Sequence, residues 1–230
     1  MALLVQKYEY KDIPKTTKED GERTYDTPSG KLPSVTTILD KTSDKTQIFE
    51  WKKRIGSKNA DYITKLSANV GTCFHKHLEN FIKDEPRPTG SSLVRKYAKI
   101  ISDVVIEKGL VKVDQIWGLE CSLYFPGLYA GTADVIGIWK GKPAIMDFKN
   151  TRRPKKEEWL EGYFLQLTAY AMAHNEMFGT DIQTGVIMMV AREDEYLGEY
   201  QEFEIKIKDW EDKWLTVLEK YYGIVKTQTN

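Results

Sequence analysis

The chain has 230 residues, 41% hydrophobic and 30% charged, with 34 basic residues balanced by 34 acidic ones. Such a chain can bury a real core, and with no net charge it has no global field for a polyanion, so any attraction for nucleic acid has to be local. Two cysteines, Cys73 and Cys121, are too few for a disulfide framework, a zinc site or an iron–sulfur cluster and read as core thiols, while the absence of a long apolar run or a secretory leader excludes a membrane partner and leads us to expect a cytoplasmic protein, in a bacterial host's cytoplasm if the source is viral.

Residues 1–33 are polar and turn-rich, which predicts a small hairpin or an irregular lead-in. Ser34 is placed to cap a short helix through Leu39, and Asp44 to cap another through Ile55 that stops at Gly56. Ser57 to Asn69 reads as a helix, and Gly71 starts the next. In that helix Phe74, Leu78, Phe81 and Ile82 form the apolar stripe, and His75 and Glu79, four apart, project side by side at its margin. By themselves those two fit an ordinary hydrogen-bonded pair at a core boundary. Pro86 and Pro88 end the element, and Ser91 to Lys108 is an amphipathic helix closed by Gly109.

The second half changes character. Strand composition appears at Gln115–Tyr124, Gly127–Trp139, Pro143–Lys149, Thr184–Ala191 and Tyr200–Ile207. A helix over Glu157–Phe178, with Leu160, Phe164, Leu167, Ala171, His174 and Phe178 as its stripe, separates the third strand from the fourth, and a last helix is expected from about Asp209 to Val225. Helix, three strands, helix, two strands describes an α/β sheet whose first three strands form an antiparallel meander, flanked by helices. We expect one domain over 1–230, with 1–110 mainly helical and 111–230 carrying the sheet.

The stretch "TADVIGIWKGKPAIMDFKN" concentrates the chemistry. A two-residue turn at Lys140 and Gly141 would set Asp134 opposite Asp147, on one face at roughly 5 Å. Lys149 would join them, because side chains two apart along a strand share a face. Two carboxylates and an ammonium are costly to gather unless a cation sits between the carboxylates, and hard oxygen ligands suit Mg2+ or Mn2+. A hairpin in which Lys149 only salt-bridges one carboxylate fits the same spacing, and a three-residue turn would put the two aspartates on opposite faces.

From Lys149 to Lys156 the chain reads Lys-Asn-Thr-Arg-Arg-Pro-Lys-Lys without an acid. A solvated loop is one reading; adjacency to Asp147 favours phosphate contact, with Thr151, Arg152, Arg153 and Lys155 as the expected DNA-binding residues. Gln166 and Tyr170, again four apart, lie beside the stripe of their helix and could face the same end of the sheet.

Taken in order, Gly71-Thr72 with His75 and Glu79, "GTADVIG" with Asp134, "IMDFKN" with Asp147 and Lys149, and "QLTAY" with Gln166 and Tyr170 resemble the PD-(D/E)xK nuclease superfamily, in its RecB-like exonuclease branch. "LPSVTTIL" and "WGLECSLYF" look closer still to the mitochondrial genome maintenance exonucleases and their phage and bacterial relatives. The resemblance spans about residues 32 to 180 and implies a restriction-endonuclease-like core with a mixed sheet.

By that resemblance Asp134, Asp147 and the carbonyl of Phe148 would ligate the metal, with His75 as a further ligand or a phosphate contact. Lys149 would orient or deprotonate the attacking water, Gln166 would position Lys149 or the scissile phosphate, and Tyr170 would touch DNA or buttress its helix. Glu79 would lend support, and Ser34 and Thr36 would contact DNA.

The expected activity is that of a metal-dependent DNA exonuclease preferring single-stranded ends, with Trp51, Tyr62 and Tyr97 available to stack on bases. Two alternatives stay open: a flap or duplex endonuclease, and a nucleic-acid-binding module that keeps the fold without turnover. A compact nuclease without helicase motifs would suit a phage or other mobile element.

Overall fold

The turn at Lys140 and Gly141 sets the register of the central strands. Both residues have positive φ, 46° and 79°, the left-handed pair that a two-residue type I′ turn requires. The flanking strands pair from Trp139 with Lys142 to Val135 with Met146. The computed structural model, which describes residues 3–228, extends this hairpin into a six-stranded mixed sheet.

Its strands are β1 (Leu3–Leu4), β5 (Val113–Phe125), β6 (Tyr129–Trp139), β7 (Lys142–Thr151), β8 (Thr184–Ala191) and β9 (Tyr200–Lys206), in the spatial order β1-β5-β6-β7-β8-β9. The meander β5-β6-β7 is antiparallel, β8 joins β7 in parallel, and β9 closes the edge antiparallel to β8. Residues 3–33 hold more order than their composition suggests: β2 (Lys15–Thr17), β3 (Arg23–Thr27) and β4 (Gly30–Pro33) form a separate three-stranded antiparallel sheet.

Among the described residues six α-helices flank the strands: α1 (Val35–Thr42), α2 (Thr46–Ile55), α3 (Ser57–Ile82), α4 (Leu93–Lys108), α5 (Glu161–Phe178) and α6 (Glu211–Gln228). The two helices expected on either side of Gly71 are one continuous α3. A glycine inside a helix costs about 1 kcal/mol relative to alanine, and burial of Val70 and Phe74 on either side of it offsets that cost. The last helix starts two residues later than expected, after a short 3₁₀ turn at Ile207–Asp209. Among the described residues no helix is long and apolar enough to cross a membrane.

Alternation along the strands gives two large core clusters, one on each face of the sheet, and a small third one joins Ala130 of β6 to Tyr25 and Leu32 of the three-stranded sheet. Met146 and Phe148 pack with Phe74 and Leu78 of α3 and Ala98 and Ile101 of α4. Ile136 and Ile145 pack with Leu167 and Ala171 of α5, Ile38 of α1 and Trp214 of α6. One exception matters for function: Ala133 joins the α5 cluster, whereas Val135, also two along, joins the α3 cluster. The strand therefore switches faces at Asp134.

Candidate active site

The main-chain ladder between β6 and β7 ends at Val135 and Met146, and the next residues outward are Asp134 and Asp147. With the ladder gone, the Phe148 N–H would lose its partner. The Asp134 carboxylate takes its place, with Oδ2 accepting from the Phe148 nitrogen at 2.8 Å. The N–H and C=O of a strand residue point to the same edge, so the Phe148 carbonyl faces that gap too. Asp134 thus lies in the opening between strands rather than on the face shared by Asp147 and Lys149, as strict alternation predicts. The face switch at Asp134 is the reason.

Asp147 and Lys149 do share a face, the one covered by α5. Asp147 is buried, and its carboxylate makes no aligned hydrogen bond among the described residues. Its close partner is the Lys149 ammonium, 2.5 Å from Oδ2. Burial pushes the Asp147 carboxyl up to about 6, against the pull of Lys149. For Lys149 burial disfavours the charge, but Asp147 and Asp134 outweigh it and hold the ammonium above its ordinary range. Gln166 Oε1 accepts from Lys149 at 3.2 Å, and the Tyr163 ring lies 5.0 Å below the ammonium.

Gln166 is held in turn, its Nε2 donating to the Tyr170 hydroxyl at 3.3 Å. Tyr170 is buried and its ring packs on Gly131, where an added Cβ would stand 2.5 Å from Cε1. The first glycine of "GTADVIG" therefore lets α5 approach β6 closely enough for Gln166 to reach Lys149. This corrects the expected DNA contact by Tyr170: its burial leaves it to buttress the helix.

From the other face α3 delivers His75, whose Nδ1 lies 3.5 Å from Asp134 Oδ2 and 3.6 Å from Glu120 Oε1. Glu120 is a residue the sequence reading missed. It sits between the paired residues Leu119–Val135 and Cys121–Ala133 with φ at 52°, a conformation that costs a non-glycine residue on the order of 1 kcal/mol and swings its carboxylate out of the strand's alternation. Ligand atoms of His75, Glu120 and Asp134 all lie within 4.8 Å of one another. Burial opposes a charged imidazole, but Asp134 and Glu120 prevail and raise His75 to about 9. Its proton does there what a cation would do. One imidazole and two carboxylates, with the buried Asp147 carboxylate nearby holding an ion pair but no aligned hydrogen bond, are a donor set that fits a divalent cation.

Glu79 does not join this group. Lys76 and Lys83, one turn to either side, hold its two oxygens at 2.9 and 2.6 Å. Ser34 is also corrected: it is buried, and its hydroxyl caps α1 by accepting from the Thr37 nitrogen at 3.0 Å, leaving no exposed face for DNA. Thr36 is exposed and lines a groove of about 550 Å³ with Tyr163 and Gln166.

A larger groove, about 920 Å³, opens beside Lys149. Thr151 lines it from the end of β7, Arg152, Arg153 and Lys155 from the loop that follows, Trp51 and Arg54 from α2, and Trp159, Tyr163 and Tyr196 supply further rings. Thr151 is buried and its hydroxyl donates to the Arg153 carbonyl, so it braces this loop rather than offering a donor outward. Arg152 Nε meets Glu193 Oε1 at 2.5 Å, and Arg153 lies 5.6 Å from the centre of the Tyr196 ring. Of the three aromatics singled out for stacking, Trp51 lines the groove; Tyr62 is exposed elsewhere, and Tyr97 packs against the α3–α4 cluster.

A mixed sheet with an antiparallel meander, opened where Asp134 takes the Phe148 N–H and with the Asp147–Lys149 pair beside that opening, is the arrangement that the resemblance in the sequence leads one to expect. No protein-family model matches the chain. In sequence it is similar to mitochondrial genome maintenance exonuclease 1: 28% identical to the Mus musculus protein over 204 residues (83% of this chain, 59% of that one) and 28% to the Homo sapiens protein over 214 (86% and 60%). It thus spans about three fifths of the length of these relatives. Among solved structures, a phage related exonuclease from Haemophilus somnus 129PT superposes over 69% of this chain and 83% of its own, with 11% identity and a TM-score of 0.38.

Proposed function

We propose that this chain is a metal-dependent exonuclease that hydrolyses phosphodiester bonds of DNA, starting from single-stranded ends, and that residues 1–230 form one nuclease domain. The observation that carries the reading is the placement of Lys149. Its ammonium is aimed by Asp147, Gln166 and Tyr163, feels the charge of Asp134 from the His75–Glu120–Asp134 group, and adjoins Tyr163 and Asn150, which line a groove of cations and aromatic rings. The similarity in sequence to mitochondrial genome maintenance exonuclease 1 supports it.

His75, Glu120, Asp134 and Asp147, with the Phe148 carbonyl facing them, would hold Mg2+ or Mn2+, which when bound supplies a Lewis acid for the phosphate and an acidified water. The chain's own groups do the rest. Lys149 orients the attacking water and offsets the extra negative charge on the phosphorus; Gln166 keeps the ammonium on that vector, and Tyr170 keeps Gln166 in place. Arg153, Lys155 and Arg152 draw the backbone of the strand along the groove, and Trp51, Trp159 and Tyr163 offer faces on which unstacked bases lie, an arrangement suited to a single strand. Thr36 offers a contact on the far side of Gln166.

Digestion of end-labelled linear and circular single strands, beside linear duplex, under Mg2+, Mn2+ and chelator tests this. Linear single strands should shorten from an end in either metal, while circles and chelated samples stay intact. Cleaved circles would favour the endonuclease reading, and intact linear strands in both metals the binding module.

A further inference from the structure

Arg192 has no part in the site described so far. It follows β8 directly and is 3% exposed, yet its guanidinium lines the groove beside Lys149. One terminal nitrogen donates to Ser67 Oγ of α3 at 2.6 Å, and the other to Asn150 Oδ1, the residue after Lys149, at 3.3 Å. Both partners are neutral, and among the described residues no carboxylate makes an ion pair with it: the neighbouring Glu193, which acts on its charge from further off, is paired with Arg152, and burial still lowers the guanidinium's affinity for its proton.

A buried cation without an anion is expensive to maintain, and a chain that keeps one commonly meets the anion in its ligand. The surroundings say which anion. Arg54, Arg152, Arg153 and Lys155 line the same groove against one acid, Glu199, and a guanidinium fork matches phosphate oxygens in a bidentate contact. Ser67 and Asn150 fix the plane of the fork, so little side-chain freedom remains to be lost on binding.

We propose that Arg192, oriented by Ser67 and Asn150, forms a phosphate-binding subsite for a nucleic-acid strand next to the cleavage site, gripping a phosphate neighbouring the one that reacts. The proposal rests on the nuclease reading above and adds to it a residue outside the cationic loop. It makes Arg192 a strand-gripping residue whose loss reduces affinity before it affects the chemistry.

The test compares wild type with Arg192→Met and Arg192→Lys. Thermal melting establishes folding, and binding of a labelled single-stranded oligonucleotide is measured in calcium over a salt series. Arg192→Met should fold, bind at least tenfold more weakly, and lower the slope of log affinity against log salt by about 0.7, one single-strand phosphate contact. Arg192→Lys should restore the slope while leaving part of the affinity missing, since an ammonium cannot form the fork. Wild-type affinity and slope in a folded Arg192→Met would overturn the proposal and leave Arg192 as a strut between β8 and α3.

Should Arg192→Met not fold, nitrogen-15 spectra of the arginine side chains of wild type decide. The Arg192 Nε–H signal should shift on adding oligonucleotide, and an unmoved signal in a protein that binds overturns the idea. Strands with a 5′-phosphate, a 3′-phosphate, neither, or no ends separate a terminal from an internal phosphate as the group gripped. A wild-type protein that binds no strand at all would instead defeat the nuclease reading itself.

Discussion

Replacing Gly131 by alanine tests the link between a close helix–strand approach and the aim of the lysine. The new Cβ would stand 2.5 Å from Tyr170 Cε1, whereas carbon atoms in contact settle at about 3.5–4.0 Å, so the ring and the turn of α5 that carries it must retreat by about 1 Å. Overpacking of this kind costs about 1–3 kcal/mol, which at this chain length lowers Tm by roughly 2–12 °C. Gln166 rides one turn away on the same helix and holds both Tyr170 and Lys149. A misplacement of about 1 Å in such a constellation costs on the order of 100-fold in rate. Single-turnover digestion of an end-labelled single strand, beside a melting curve, should therefore show a large fall in the chemical step with binding in calcium little changed. Adding Tyr170→Leu should recover stability without recovering rate, because the hydroxyl that steadies Gln166 is then missing. A Gly131→Ala protein with wild-type rate and Tm would refute the coupling.

Glu120→Gln should weaken Mn2+ binding, read by calorimetry on the strand-free protein, by at least tenfold while the protein stays folded; unchanged affinity would remove Glu120 from the ligand set. Arg153→Ala with Lys155→Ala should weaken strand binding and flatten its salt dependence by one to two phosphate contacts, about 0.7 each, and an unchanged slope would return the loop to solvent. His77 and His174 are buried, and burial is the main reason that both titrate near 4. Their folded values lie below the unfolded value of about 6.5, so the unfolded chain binds protons that the folded chain refuses. Stability should be lost as pH falls from about 6.5 toward 4, by up to about 3 kcal/mol per histidine. His174→Gln should flatten that fall in a pH series of denaturant melts, and an identical slope would contradict the assignment.

Much of the site could be read from the sequence because its parts obey local rules. Lys140-Gly141 dictates the turn, the turn dictates the register, and alternation puts Asp147 and Lys149 together. Four-residue spacing put Gln166 and Tyr170 on one side of their helix, and there they hydrogen-bond to each other. The same spacing misled for Glu79, because Lys76 and Lys83 lie equally near and satisfy its charge locally. Glu120 escaped because it owes its position to a left-handed residue in the middle of a strand, and neither composition nor periodicity marks such a kink in advance. Its place in "WGLECSLYF", across from "GTADVIG", was the available signal. Arg192 escaped for another reason: only the parallel docking of β8 on β7, a long-range choice, carries it to Ser67 and Asn150.

The most direct measurement is the cleavage rate of Lys149→Met on an end-labelled linear single strand in manganese, at equal amounts of folded protein and with strand binding checked in calcium. The account predicts a wild type that cuts in manganese and stops with chelator, and a variant that binds the strand yet leaves it whole. Cutting by the variant at the wild-type rate, or by the wild type in chelator, would contradict it.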